Sequence, residues 1–138
     1  MPEASGVYCV LQRHGTPPEF LELSTAGHFK DKNPTVPVSV LRDKWVQGAI
    51  VLKISKAGLD EGRTLKKRLK EYMQFGRGIS IDHWGGRYIW QMDQSQDLQV
   101  CWKLTGKADQ RKIEEELIRE FEAAYGRIPF ANIQALTR

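Results

Sequence analysis

The sequence predicts an α+β fold with a small antiparallel sheet. Runs rich in β-branched and other apolar residues recur at 7–12, 49–54 and 98–104, as half-buried strands require. Two other stretches, 64–74 and 112–125, gather their apolar residues on one side of a helical wheel. The elements follow the order β, irregular, β, α, β, β, α, without the βαβ regularity of a parallel sheet.

Length and composition set the frame. A chain of 138 residues fits a single domain (1–138) that can bury a core without staples. Its 41% hydrophobic and 28% charged residues are ordinary for a globular protein. Twenty-one Lys and Arg against 17 Asp and Glu leave a net charge of +4, which suits an anionic partner such as nucleic acid. No window approaches a membrane span, and residues 1–6 have neither the basic nor the apolar part of a signal peptide. A cytoplasmic protein is expected. Cys9 and Cys101 lie in apolar strand-like runs and read as free buried thiols. With His14, His28 and His83 they match no zinc-ligand spacing.

In chain order, Val7–Gln12 reads as the first strand, following Gly6. Residues 13–45 are less regular, with short strand-like pieces at Phe20–Leu23 and Val36–Val40. Pro34 and Pro37 demote the second piece to an edge or a loop. Ala49–Ile54 is a firmer strand. Thr64 can cap a helix to about Gln74, with Gly76 near its end. Gly86–Gln91 and Leu98–Leu104 read as the two strands of a hairpin around polar residues 93–97. The second helix stops at Gly126, and Pro129–Asn132 closes the fold.

Each helix carries an anomaly. In the second, Ile113, Leu117, Ile118, Phe121, Ala124 and Tyr125 form the apolar arc, and Glu114 projects from its middle. A carboxylate on a buried face needs a cation, because desolvating an ion costs several kcal/mol in order of magnitude. The alternative is a first-turn glutamate held by the helix dipole. In the first helix Leu65, Leu69, Tyr72 and Met73 face inward, and Lys66, Lys67, Lys70 and Glu71 face outward. Arg68 lies on the border beside Tyr72. The pair can grip a phosphate, or Arg68 can simply snorkel past a core tyrosine.

Four pieces together carry a resemblance. Gly6-Val7-Tyr8 opens the first strand, and a second strand leads into Lys56-Ala57. Leu65–Tyr72 and the Glu114…Leu117-Ile118 stretch follow. In this order they resemble the GIY-YIG nuclease superfamily, over roughly half the chain. The resemblance implies a three-stranded antiparallel core flanked by helices, against which residues 13–45 stand as an insertion between the first two core strands. It implies hydrolysis of DNA phosphodiesters with one Mg²⁺ or Mn²⁺. By position, Tyr8 matches the tyrosine that lies against the attacking water, Arg68 the arginine on the scissile phosphate, and Tyr72 the aromatic one turn on. Glu114 matches the single metal-ligating carboxylate, and Asn132 a C-terminal asparagine found near the site in some members.

Two departures qualify the match. Lys53-Ile54-Ser55 stands where the family usually has Tyr-Ile-Gly. Some restriction members resemble this, with a lysine that primes the first tyrosine. Strand alternation puts Lys53 on one face with Val51 and Ser55, so that an ammonium could meet Tyr8 across the sheet and favour its phenolate. The second departure is the insertion, read as a substrate-contacting element with His14, His28, Lys30, Lys32 and Arg42 as candidate phosphate contacts. In Asp82–Tyr88, the Gly85-Gly86 pair allows a close backbone approach. Trp84 and Trp90 are then core residues, or His83 and Arg87 line the rim of a DNA groove. Lys56 and Asn132 complete the candidate DNA contacts. The expected function is a metal-dependent DNA endonuclease. The alternatives are a nucleic-acid-binding module of the same fold without turnover, and a protein-interaction domain.

Overall fold

Strand β1 (Gly6–Leu11) is the centre of the sheet, flanked by β2 (Val51–Ala57) and β3 (Gln99–Leu104) in the order β2-β1-β3, both antiparallel to it. The architecture comes from a computed structural model, which describes residues 4–13, 17–28, 32–58, 64–79, 86–106 and 109–132. Helices α1 (Val38–Lys44), α2 (Leu65–Gly76) and α3 (Gln110–Tyr125) complete an α+β fold. Among the described residues no helix is long and apolar enough to cross a membrane.

The first residue of β1 has to be small. A Cβ on Gly6 would stand 2.4 Å from the Lys103 carbonyl oxygen of β3 and 2.6 Å from a Leu65 methyl of α2. Neither the sheet nor the start of α2 could then close as it does. Thr64 caps α2 as expected, its hydroxyl accepting from the Lys67 N–H at 3.1 Å. Gly126 ends α3 in the left-handed region at φ 78°, where glycine is unstrained.

The sheet separates two cores. Tyr8, Val10, Leu52 and Ala57 pack with Leu65, Leu69, Tyr72 and Phe75 of α2 and with Trp90 and Phe130. Ile54 packs with Ile118 and Phe121 of α3, with Val51 and Cys9 at its margin. A register shift between Val10 and Leu11 explains why Val51 and Leu52 fall on unexpected sides. Val10 pairs with Lys53 and Leu11 with Val51, so one residue of β2 bulges out of step. Val51 therefore does not share a face with Ser55, contrary to simple alternation.

Three expected strand pieces are not strands, and Phe20–Leu23 keeps only an isolated bridge from Phe20 to Met92. Val36–Val40 runs into helix α1, for which Pro37 is the N-cap. Proline is tolerated at a helix start, where the first N–H groups have no intrahelical partner anyway. Leu41, fully buried, anchors the helix in the core. The hairpin of 86–91 with 98–104 also fails, because β3 pairs with β1. Ile89–Gln91 is instead a 3₁₀ turn, and Tyr88 to Met92 are all buried. A strand with one wet face could not hide five consecutive residues.

Gln91 ties that turn to the insertion. Its amide nitrogen donates to the carbonyls of Leu21 (2.8 Å) and Val36 (2.7 Å), and its carbonyl accepts from the Val36 N–H (3.0 Å). Much of 13–45 is therefore structural: Ala26, Leu41 and Trp45 belong to the larger core, and Phe20, Val36 and Val40 pack against it. His28, Lys32 and Arg42 are exposed, while His14 and Lys30 lie outside the described residues.

Cys9 and Cys101 are opposite each other in β1 and β3, but Cys101 is exposed. Burial, reinforced by Cys101, pushes the Cys9 thiol up to about 12. Met73 and Tyr125 are exposed, and Glu71 is buried. Tyr125 gives up the core for a contact with the Phe121 ring, 4.6 Å between centroids.

Candidate active site

Tyr8 is wholly buried in the middle of the sheet, with Ser55 of β2 and Trp102 of β3 directly opposite. Lys53 faces Val10, so it is a diagonal neighbour of Tyr8 rather than its partner. The residue across from Tyr8 is Ser55, which hydrogen-bonds the phenol. Burial pushes the phenol above its ordinary value, against the Ser55 hydrogen bond and the charge of Arg68. Glu114 and Glu71 act in the same direction as burial. A phenolate primed by Lys53 is therefore not what this geometry provides.

The perturbed group is the lysine. Lys53 is 6% exposed, and burial pulls its ammonium down from 10.5 to about 8. Arg68 adds to the drop, Glu114 opposes it and Arg87 contributes a smaller drop. Its Nζ donates to the Ala131 carbonyl at 3.5 Å, a long contact. Near neutral pH an appreciable share of such amines is uncharged and able to accept a proton.

Arg68 and Glu114 are each felt by both Tyr8 and Lys53. Residues from β1, β2, α2 and α3 thus converge on one place, though 106 positions separate Tyr8 from Glu114. The Arg68 guanidinium pairs with Glu71 at 3.5 Å, one turn along α2, and its side chain keeps 21% exposure, enough for a ligand to reach. Glu71, expected on the outward face of the helix, is buried here beside Arg68. Its signal was the i,i+3 spacing from Arg68.

The remaining candidates divide. Tyr72 lies one turn after Arg68, buried against Trp90 with ring centroids 4.8 Å apart. Burial raises its phenol strongly, with Tyr8 adding to the effect. Arg87 stands over the Tyr88 ring, 5.3 Å from the centroid, and partial burial lowers its pKa against the influence of Tyr88. Its charge reaches Lys53, which brings it to the site. Asn132 is close by but occupied: its Oδ1 accepts from the Ile54 N–H (2.9 Å) and its Nδ2 donates to the Ile54 carbonyl (2.8 Å). Lys56 alternates with Ser55 and Ala57 along β2, which puts it on the sheet face away from Tyr8. His83 and Trp84 lie outside the described residues.

No family model, curated protein or solved structure matches the chain.

The charges of Arg68, Glu71 and Glu114 reach Tyr8, and those of Arg68, Glu114 and Arg87 reach Lys53. Among the described residues no three His, Cys, Asp or Glu side chains are grouped to hold a metal ion. A single carboxylate still suits Mg²⁺, which usually keeps several waters and takes one or two carboxylates plus substrate phosphate oxygens. Glu114, whose charge reaches both Tyr8 and Lys53, is the candidate for that role. A tetrahedral, monoanionic phosphodiester would find a guanidinium fork, a buried amine and two phenols around it.

Proposed function

We propose that this chain is a metal-dependent DNA endonuclease of the GIY-YIG type, hydrolysing phosphodiester bonds. The observation that carries the reading is the meeting of Tyr8, Lys53, Arg68 and Glu114 from four separate elements. Tyr8, Arg68 and Glu114 lie in three of the short pieces that carry the resemblance, far apart in the chain, and Arg68 and Glu114 both act on Tyr8 and on Lys53.

Arg68 binds the scissile phosphate with its planar fork and offsets the charge that grows in the transition state. Lys53, as the free amine, takes the proton from the attacking water. Tyr8, protonated and hydrogen-bonded by Ser55, orients that water. Tyr72 flanks the phosphate, and Arg87 adds positive charge at the rim. Glu114 would hold Mg²⁺ or Mn²⁺, which when bound supplies positive charge to the reacting phosphate.

A DNA-binding module without turnover is the second reading, favoured by Lys53-Ile54-Ser55 where the family usually has Tyr-Ile-Gly. Incubating supercoiled plasmid and single-stranded DNA with the protein in Mg²⁺, Mn²⁺ or EDTA separates the two. Nicking that EDTA abolishes supports the nuclease. Salt-dependent binding without nicking in any metal supports the module.

A further inference from the structure

A cavity of about 340 Å³ opens beside the catalytic residues, lined by Val10, Tyr72, Met73, Gly76, Trp90 and Val100, with Arg77, Ser95 and Leu98 also bordering it. We propose that it is a nucleobase pocket, receiving the base of a nucleotide adjacent to the scissile phosphate. The proposal rests on the nuclease reading for its neighbour, but its own features are independent of the chemistry.

The first is position. Val10 lies two residues beyond Tyr8 on the same face of β1, a step of about 6.6 Å along a strand. Met73, Gly76 and Arg77 are on the turns of α2 that follow Arg68. The cavity is therefore displaced from the phosphate-binding arginine along both the strand and the helix, by a distance that one nucleotide spans. Tyr72 belongs to both places.

The second is the lining. Tyr72 and Trp90 pack 4.8 Å apart at a 36° tilt and form a continuous aromatic wall. Val10, Leu98 and Val100 supply the apolar remainder. Every base has a π-face, and aromatic surface beside a cationic track is the usual device for holding an unpaired one. Arg77, exposed at the C-cap of α2, provides the cation. The third feature is polar. The Trp90 indole Nε1 is buried and has no hydrogen-bond acceptor among the described residues. A base carbonyl or ring nitrogen would satisfy it.

The fold also holds this wall in place deliberately tight. A Cβ on Gly76 would come within 2.2 Å of the Trp90 ring, so only glycine lets α2 lie flat on the indole.

The test uses the full chain in EDTA, so that binding is read without cleavage. The probes are an oligothymidylate, a same-length abasic strand, and the oligothymidylate as a duplex with its complement. The parent protein should prefer the oligothymidylate over the abasic strand by about tenfold, and the Trp90 indole N–H resonance should shift only with bases present. Met73→Trp, filling the cavity from an exposed position, should abolish that preference and leave abasic-strand affinity unchanged. Val100→Phe should do the same from the β3 side. A duplex that shifts the Trp90 resonance as the single strand does would identify a base drawn out of the stack, and no shift would restrict the pocket to unpaired strands. Equal affinity for the intact and abasic strands, or a preference that survives both fillings, overturns the pocket. Plasmid nicking in Mg²⁺ by the same preparation separates the two readings: nicking without base preference sinks the pocket alone, and base preference without nicking sinks the nuclease alone.

Discussion

Asn132 matches its amide to the backbone of Ile54, accepting from the N–H at 2.9 Å and donating to the carbonyl at 2.8 Å. The Ala131 N–H bonds the Leu52 carbonyl at 2.7 Å, and the Ala131 carbonyl receives Lys53 Nζ. Residues 131–132 therefore close the outer edge of β2 around the lysine. An edge strand otherwise presents unpaired N–H and C=O groups.

Asn132→Ala should lose both bonds and destabilise the fold by roughly 1–3 kcal/mol. Asn132→Asp, which cannot donate, should fall between. Urea unfolding of the three proteins checks this. Equal midpoints would mean that water serves the Ile54 backbone as well as Asn132 does.

Gly76→Ala should destabilise by about 1–3 kcal/mol through the overlap with Trp90, although alanine is the better helix former. A raised melting temperature would show that the indole moves aside freely.

Lys53 makes a pH-dependent prediction with two readouts. Its folded value, about 8, lies below its ordinary 10.5, so the unfolded chain holds the proton more tightly. Burying Lys53 therefore costs stability below about pH 8, and the cost lifts as pH rises from 8 towards 10.5. Lys53→Met should accordingly be the more stable protein at pH 7, on the order of 2–3 kcal/mol, with an advantage that shrinks towards pH 10.5. Cleavage by the parent should rise with pH through about 8, and Lys53→Met should lack that step and most of the activity. The groups facing Lys53 are Arg68, Glu114 and Arg87, so the profile should also shift in Arg87→Ala, upward, because one cation is removed. Parallel profiles for parent and Lys53→Met would make Lys53 a bystander.

Arg68→Ala should lower turnover by about 10²–10³-fold, the usual loss for one charge-stabilising donor. Arg68→Lys keeps the charge without the fork and should recover only part. Unchanged single-turnover rates would return Arg68 to a structural pair with Glu71.

Much of this was legible in the chain. Both long helices, their Thr64 and Gly126 caps, and all three strands of the sheet follow from local pattern, which short-range physics governs. The failures were tertiary. Val36–Val40 has β-branched residues that suit a strand, but Leu41 and the Gln91 amide draw the segment into a helix against the core. Residues 86–91 read as a strand because apolar composition alone does not reveal burial on both sides. In the site, Tyr8, Arg68 and Glu114 could be singled out by motif and wheel. The pairing of Tyr8 with Ser55 could not, because it depends on a register set one bulge away.

The most direct test compares the parent protein with Glu114→Gln on DNA, measuring cleavage in Mg²⁺ beside binding in EDTA. The amide keeps the shape of the side chain and removes the charge that would hold the metal. The account predicts metal-dependent cleavage by the parent, loss of cleavage in Glu114→Gln, and equal DNA affinity and melting behaviour for both. Cleavage by Glu114→Gln at the parent's rate would contradict it.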